Sequence, residues 1–321
     1  MNDTLTIAAV QFEMTEDDKT RNLARMTELA AQAAGRGAEV VAFPEMCLSG
    51  YHYLTGLDRE RLRAIAETAD DGPAVRAMTA VARRHGIAIG FGLLERDGDR
   101  LYNTWVVVDD AGALFRHRKL HAFESSSISS GDRLALFDVK GWRCGVLICY
   151  DNNIPENMRV LALSGAELVF APHQTGGFDI PRAGMGRIPL ELWRKRAADP
   201  KPLHDAFIGP KGRAWIHKWL PSRAYDNNCW LAFVNGVGVD GPEVRVGCSA
   251  VFDPEGLVAA ETTRAGDDIV LATLSKAARV GSLPSAHLAS RRPGLYTRLI
   301  EPVAGVDART ARNRVSVEQI A

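Results

Sequence analysis

The chain has few cysteines and no paired ones. Cys47, Cys144, Cys149, Cys229 and Cys248 are odd in number and show no C-x-x-C spacing, which speaks against a disulfide framework and a structural zinc site. Charge of either sign is not in excess, since 39 Lys and Arg balance 39 Asp and Glu, so no basic field recruits nucleic acid or anionic lipid. The opening Met-Asn-Asp-Thr-Leu-Thr-Ile has no basic region followed by an apolar one. No apolar stretch reaches the roughly 18 residues of a membrane span. A soluble, cytoplasmic chain with reduced thiols and a small, mostly uncharged ligand is expected. Internal repeats, low-complexity tracts and a phosphate-binding G-x-x-x-x-G-K-[ST] are also missing, and no metal or cofactor is expected. His117 and His121 stand four apart, but an intervening Glu and a third ligand are lacking.

What the chain does have is a set of apolar runs that end on reactive side chains. Val40 to Phe43 runs into Pro44-Glu45, Ala113 to His117 into Arg118-Lys119, and Arg143 to Ile148 into Cys149. A carboxylate, an ammonium and a thiol at neighbouring strand ends would form one reactive cluster. With 321 residues and 46% hydrophobic composition the chain can bury a large core. Strand-like runs (Thr6 to Phe12, Ile87 to Leu94, Glu167 to Ala171, Trp230 to Asn235, Asp268 to Leu274) alternate with helical periods (Asn22 to Ala34, Arg59 to Ala69, Pro73 to His85, Ile154 to Ser164). Tyr102–Val108 with Ala113–Arg118, and Leu136–Val139 with Arg143–Ile148, read as hairpins. This mixture predicts an α/β fold, a four-layer α-β-β-α sandwich of two stacked mixed sheets. No linker separates Glu45, Lys119 and Cys149, so residues 1–275 read as one domain. Within it 178–210 reads as an insertion over the site with one helix-like stretch, Leu190 to Ala198, and 276–321 reads as a tail on the surface or a neighbouring subunit.

A thiol attacks as its thiolate, which is scarce near neutrality unless a cation or base assists. Lys119 could supply the cation and hold a developing oxyanion; Glu45 could take the thiol proton, return it to a leaving amine and later activate water. Glu, Lys and Cys suffice for acyl transfer at a carbon–nitrogen bond. A Cys–His hydrolase with His121 or His173 as base, an acyltransferase using the same thioester, and a non-catalytic binding module remain open. Tyr51, His52, Tyr150, Asn152, Asn153, His173 and Thr175 follow strand ends and are candidates for lining the pocket. Arg182, Arg187 and Arg194 could supply a carboxylate clamp.

Ala42-Phe43-Pro44-Glu45 with Ser49-Gly50-Tyr51, Arg118-Lys119-Leu120-His121, and Leu147-Ile148-Cys149-Tyr150-Asp151 with Pro155-Glu156 resemble the three signature segments of the nitrilase, or carbon-nitrogen hydrolase, superfamily. The likeness runs from Thr6 to about Leu274, through Gly165-Ala166-Glu167-Leu168, Arg223 to Asn227, Asn235-Gly236 and Asp253 to Gly256. It implies the same sandwich, with Glu45 as base and acid, Lys119 as stabiliser and Cys149 as nucleophile. It also implies a second glutamate between the Lys and the Gly that opens the next strand pair, here Glu124 before Gly131, holding Lys119 and the substrate amide in line. Tyr150-Asp151 after the thiol, where nitrilases commonly have Trp-Glu, resembles amidases and N-carbamoyl hydrolases. An amide or ureido substrate is therefore expected ahead of a nitrile. Ile154 and Pro172 to Gly177 depart from the pattern and imply a pocket of unusual shape. Relatives pair through surface helices and tails, which implies at least a homodimer.

Overall fold

The computed structural model describes residues 3–176, 186–301, 309 and 310. Its first sheet has the order β15 (Asp268–Ser275), β1 (Thr4–Gln11), β2 (Val40–Ala42), β3 (Ala88–Asp97), β4 (Arg100–Val108), β5 (Ala113–Arg118), with β6 (Ile128–Ser129) beside β4. The second has the order β14 (Val258–Glu261), β13 (Ala250–Phe252), β10 (Trp230–Asn235), β9 (Leu168–His173), β8 (Trp142–Val146), β7 (Leu136–Val139). Parallel pairing in the middle of each sheet (β1–β2–β3 and β8–β9–β10) gives way to antiparallel pairing outside it, except that the short β6 lies parallel to β4. A separate hairpin joins β11 (Val237–Asp240) to β12 (Glu243–Val246). The expected stacked mixed sheets are present.

Side-chain alternation explains the layering. In β1, Leu5, Ile7 and Ala9 join Val146, Ile148 and Phe170 between the sheets. Ala8 and Val10 turn the other way, onto Met26 and Leu29 of α1 (Lys19–Gly35) and Met78 of α4 (Pro73–His85). With both faces covered, a strand needs apolar residues at every position, which is why these strands read as runs and not as alternations. Two shorter helices, α2 (His52–Thr55) and α3 (Arg59–Ile65), precede α4. Asp18 accepts from Arg21 N to start α1, and Pro73 opens α4, which Gly86 closes at φ 67°. The second sheet is covered by α5 (Pro155–Leu163) and four short helices, α6 (Leu190–Lys195), α7 (Lys201–Ile208), α8 (Arg213–His217) and α9 (Leu220–Tyr225).

Two of those helices, α6 and α7, lie in the segment 178–210 that reads as an insertion. Trp193, Leu203 and Phe207 are buried in the outer core of the second sheet, so 186–210 is part of the helical layer. Helix α6 falls in the helix-like stretch Leu190 to Ala198, while the eight residues of α7 give too little periodicity to register in a Pro- and charge-rich segment. The rest of that segment, with Arg182, lies outside the described residues. Residues 276–301 form short turns and α10 (Leu283–Ala289) on the surface, tied down where Arg279 Nε donates to Asn228 O at 2.8 Å. Most of the remaining tail, 302–308 and 311–321, is outside the described residues.

One expectation about the site needs adjusting. β2 and β5, which lead to Glu45 and Lys119, are not neighbours; β3 and β4 lie between them, a gap of roughly 14 Å at the usual strand spacing. Both run the same way, so their C-terminal ends share one edge of the sheet. The chain after β2 then folds across β3: Phe43 N donates to Gly90 O and Leu48 N to Gly92 O. That crossing requires a residue without a side chain, since a Cβ on Gly92 would lie 2.2 Å from Met46 N.

Candidate active site

Four elements deliver the reactive groups to one place. Glu45 comes from the crossing after β2, Lys119 from the end of β5, Glu124 from the loop beyond it, and Cys149 from the turn after β8. Lys119 Nζ donates to Glu45 Oε1 at 2.8 Å and to Glu124 Oε1. All three side chains are buried. Cys149 is only half-buried, and stands close enough to Glu45 and Lys119 that both charges act on its thiol. It opens a tight turn, Cys149–Asn153, in the left-handed region at φ 48°, which for a residue with a side chain is a strained placement found at functional turns.

Sequence reasoning missed two residues that complete the cluster. Asn103 of β4 donates through Nδ2 to Glu45 Oε1 at 2.7 Å and to Glu124 Oε1 at 2.8 Å. Gln174 reaches over from the end of β9, its Nε2 donating to Glu45 O at 2.7 Å, and its backbone N–H faces the Cys149 sulfur. The signal was there: each is a polar residue on or directly after a strand whose neighbours are all buried.

The carboxylates differ in their surroundings. Glu124 Oε2 accepts from Phe123 N at 2.9 Å, so both its oxygens are occupied. Glu45 Oε2 is buried with no hydrogen-bond partner among the described residues. Burial pushes the Glu45 carboxyl above its ordinary range, opposed by Lys119 and reinforced by the charge of Glu124. Burial acts on Glu124 too, but there the Lys119 ammonium and its hydrogen bond outweigh it and hold the carboxyl low. Burial alone would lower Lys119; the two carboxylates hold it well above the usual lysine range.

Lys119 does pull the thiol pKa down, but in the resting site it is outweighed. Burial, with Glu45, pushes Cys149 up to about 12. Lys119 is already matched against two carboxylates, so a thiolate would add a second uncompensated negative charge.

The expected pocket residues separate into two groups. Tyr51 lies at the cluster, its ring 5.7 Å from Lys119 Nζ on one side and 5.1 Å from the Arg245 guanidinium on the other. Arg245 is itself buried and paired to Asp240 and Glu243, each at 2.6 Å. Tyr150 packs edge-on against Phe123, whose ring is 4.4 Å from Lys119 Nζ. Three of the others hydrogen-bond within the fold. Asn152 donates to Leu147 O at 2.7 Å and sits 3.1 Å from His173 Nε2, while His173 Nδ1 meets Thr175 Oγ1 at 2.9 Å. Asn153 is exposed, and the backbone N–H of His52 donates to Asp240 Oδ1 at 3.0 Å.

This also bears on the histidine alternative. Both ring nitrogens of His173 are engaged, and burial together with Lys119 depresses it to about 3. His121 turns Nε2 to Asn157 Nδ2 at 3.2 Å. Neither histidine presents itself to Cys149, and His117 faces Asp151, not His121.

Asp151 joins the two loops that matter most. Its buried carboxylate accepts from Leu120 N and His121 N, directly after Lys119, and from Ile148 N, directly before Cys149. Asp151→Ala strands these three N–H groups and is expected to cost about 3 kcal/mol or more at 1–3 kcal/mol each. Urea unfolding of the two proteins measures it; equal midpoints would contradict the role.

Residues 6–282 match the family model described as carbon-nitrogen hydrolase. The chain is 32% identical over 312 residues to the hydrolase in the pqqF 5′ region of Pseudomonas protegens, covering 92% of each chain. It is 30% identical to an (R)-stereoselective amidase of a Pseudomonas species, covering 80% of this chain and 81% of that one. A double mutant of the amidase from Nesterenkonia sp. AN1, solved in complex with acrylamide, shares the fold at TM-score 0.69 and 22% identity over 93% of this chain and 98% of that one. The chain belongs to the carbon-nitrogen hydrolase family of the nitrilase superfamily. It is an enzyme that hydrolyses carbon–nitrogen bonds other than peptide bonds by way of a cysteine thioester.

Proposed function

We propose that this enzyme is an amidase in which Cys149 is the nucleophile, Glu45 the proton carrier, Lys119 the oxyanion donor and Glu124 the residue that fixes Lys119. The observation that carries this is the Oε2 atom of Glu45, a buried carboxylate oxygen of the cluster with no donor among the described residues. With its thiol raised to about 12, Cys149 starts neutral, so its proton passes to Glu45 Oε2 as the sulfur attacks the amide carbon. Two N–H groups of Lys119 are held by Glu45 and Glu124, leaving the third for the oxyanion. Protonated Glu45 then gives its proton to the leaving amine, the C–N bond breaks, and the thioester remains. Water replaces the amine, loses a proton to Glu45 and attacks the thioester; the proton returns to the departing sulfur.

The amide reading is supported by Tyr150-Asp151 after the thiol and by the Pseudomonas amidase among the relatives. Ammonia release from matched primary amides, N-carbamoyl compounds and nitriles tests it. Amides are expected to give the highest kcat/KM; a nitrile or carbamoyl compound turned over faster overturns the choice.

The catalytic unit of this reading is 1–275, with 276–321 a tail that helps pair two copies in the cytoplasm. Val280 and Ile300, 80% and 85% exposed, give the tail an apolar surface suited to a second copy. Sedimentation at micromolar protein is expected to give a dimer or larger; monomer alone contradicts it.

A further inference from the structure

Asn103 stands on β4 between the strands that deliver Glu45 and Lys119, fully buried. Its carboxamide donates to the same two oxygens that Lys119 holds, so Oε1 of Glu45 and Oε1 of Glu124 each receive two donors. The amide cannot be turned over, because its oxygen would then face two carboxylates. Its backbone oxygen accepts from Lys119 N at 2.8 Å, which sets where the lysine leaves β5. One residue thus fixes both ends of the Glu45–Lys119 contact without adding charge. A second cation would neutralise the proton carrier; a third anion would compete for the only ammonium.

We propose that Asn103 is a positioning residue for the hydrolysis: by holding both Oε1 atoms it leaves Glu45 a single oxygen, Oε2, through which to exchange protons. This rests on the roles given above to Glu45, Lys119 and Cys149. Without Asn103 the Glu45 carboxyl is held at Oε1 by Lys119 alone and loses a donor to its ionised form, which raises its pKa further. The substrate amide is not touched, so binding changes little.

The test is steady-state kinetics of Asn103→Leu and Asn103→Asp across pH on an amide the wild type hydrolyses. For Asn103→Leu, kcat is expected to fall about 10- to 100-fold, the loss of a hydrogen bond to a charged group, with KM nearly unchanged. The acidic limb of the kcat/KM profile moves to higher pH. Asn103→Asp, closer in shape to asparagine but anionic, should be slower still at neutral pH. A purely space-filling role predicts the reverse order and an unmoved limb, and either result overturns the proposal. If Asn103→Leu does not melt cooperatively, Asn103→Ala is followed by the rate of Cys149 alkylation with iodoacetamide; a pH curve superimposed on the wild type's overturns the proposal. Glu45→Gln runs in parallel. An active Glu45→Gln sinks the reading of the triad, whereas an inactive one beside a wild-type-like Asn103→Leu sinks only the role of Asn103.

Discussion

Cys149→Ala is expected to stop hydrolysis, with kcat/KM down by about 10⁶-fold, while the protein still melts cooperatively. The loss is total because no other thiol can substitute. Cys47, Cys144, Cys229 and Cys248 are buried, Cys47 against the helices of the first sheet and Cys144 between the sheets. Burial pushes all four up, Cys47, Cys229 and Cys248 to about 12. What distinguishes Cys149 is not an acidic thiol but a turn that leaves it half-open beside a proton acceptor and an ammonium. Assay with the best amide substrate checks this, and activity above a hundredth of the wild type's would contradict it.

Glu45→Gln has the second largest expected effect, a loss of about 10²- to 10⁴-fold in kcat, the usual worth of a positioned acid–base group. Glutamine keeps the shape and can still meet Lys119 and Asn103 through its oxygen, so binding should survive. The pH profile carries the sign. Only ionised Glu45 accepts the thiol proton, and its carboxyl is raised above the ordinary range by burial. Wild-type kcat/KM therefore climbs with pH through that raised value and is lost below it. Cys149 and Lys119 are both held high, so these groups impose no fall at alkaline pH below the ordinary lysine range. In Glu45→Gln the acidic limb should vanish with the rate. A limb that persists unchanged in the variant would place the titrating base elsewhere.

Much of the sandwich was legible because its strands are buried on both faces. Trp230–Asn235 and Pro73–His85 have the bounds that their apolar runs and caps suggest. Glu45, Lys119 and Cys149 were legible as polar residues at the ends of such runs. The crossing over β3 was not, because it depends on Gly92 meeting a loop more than forty positions away, as Leu48 N donates to Gly92 O. Asn103 and Gln174 escaped for a related reason: a polar residue in a buried run looks like a flaw until its partners, 58 and 129 positions distant, are known. Of the short helices over the second sheet, α6 lies in the helix-like stretch Leu190 to Ala198, whereas α7 to α9 pack through one or two buried side chains each and leave no period to read. Following a strand end does not fix a side chain's direction: His173 meets Asn152 through one ring nitrogen and Thr175 through the other.

The most direct test of a thioester on Cys149 is intact-mass measurement of acid-quenched protein during turnover of an amide, alongside Cys149→Ala. The account predicts a mass increment equal to the acyl group less the one hydrogen it replaces in the wild type and none in the variant. An increment that survives in Cys149→Ala, or amide turnover by a variant that never carries one, would contradict it.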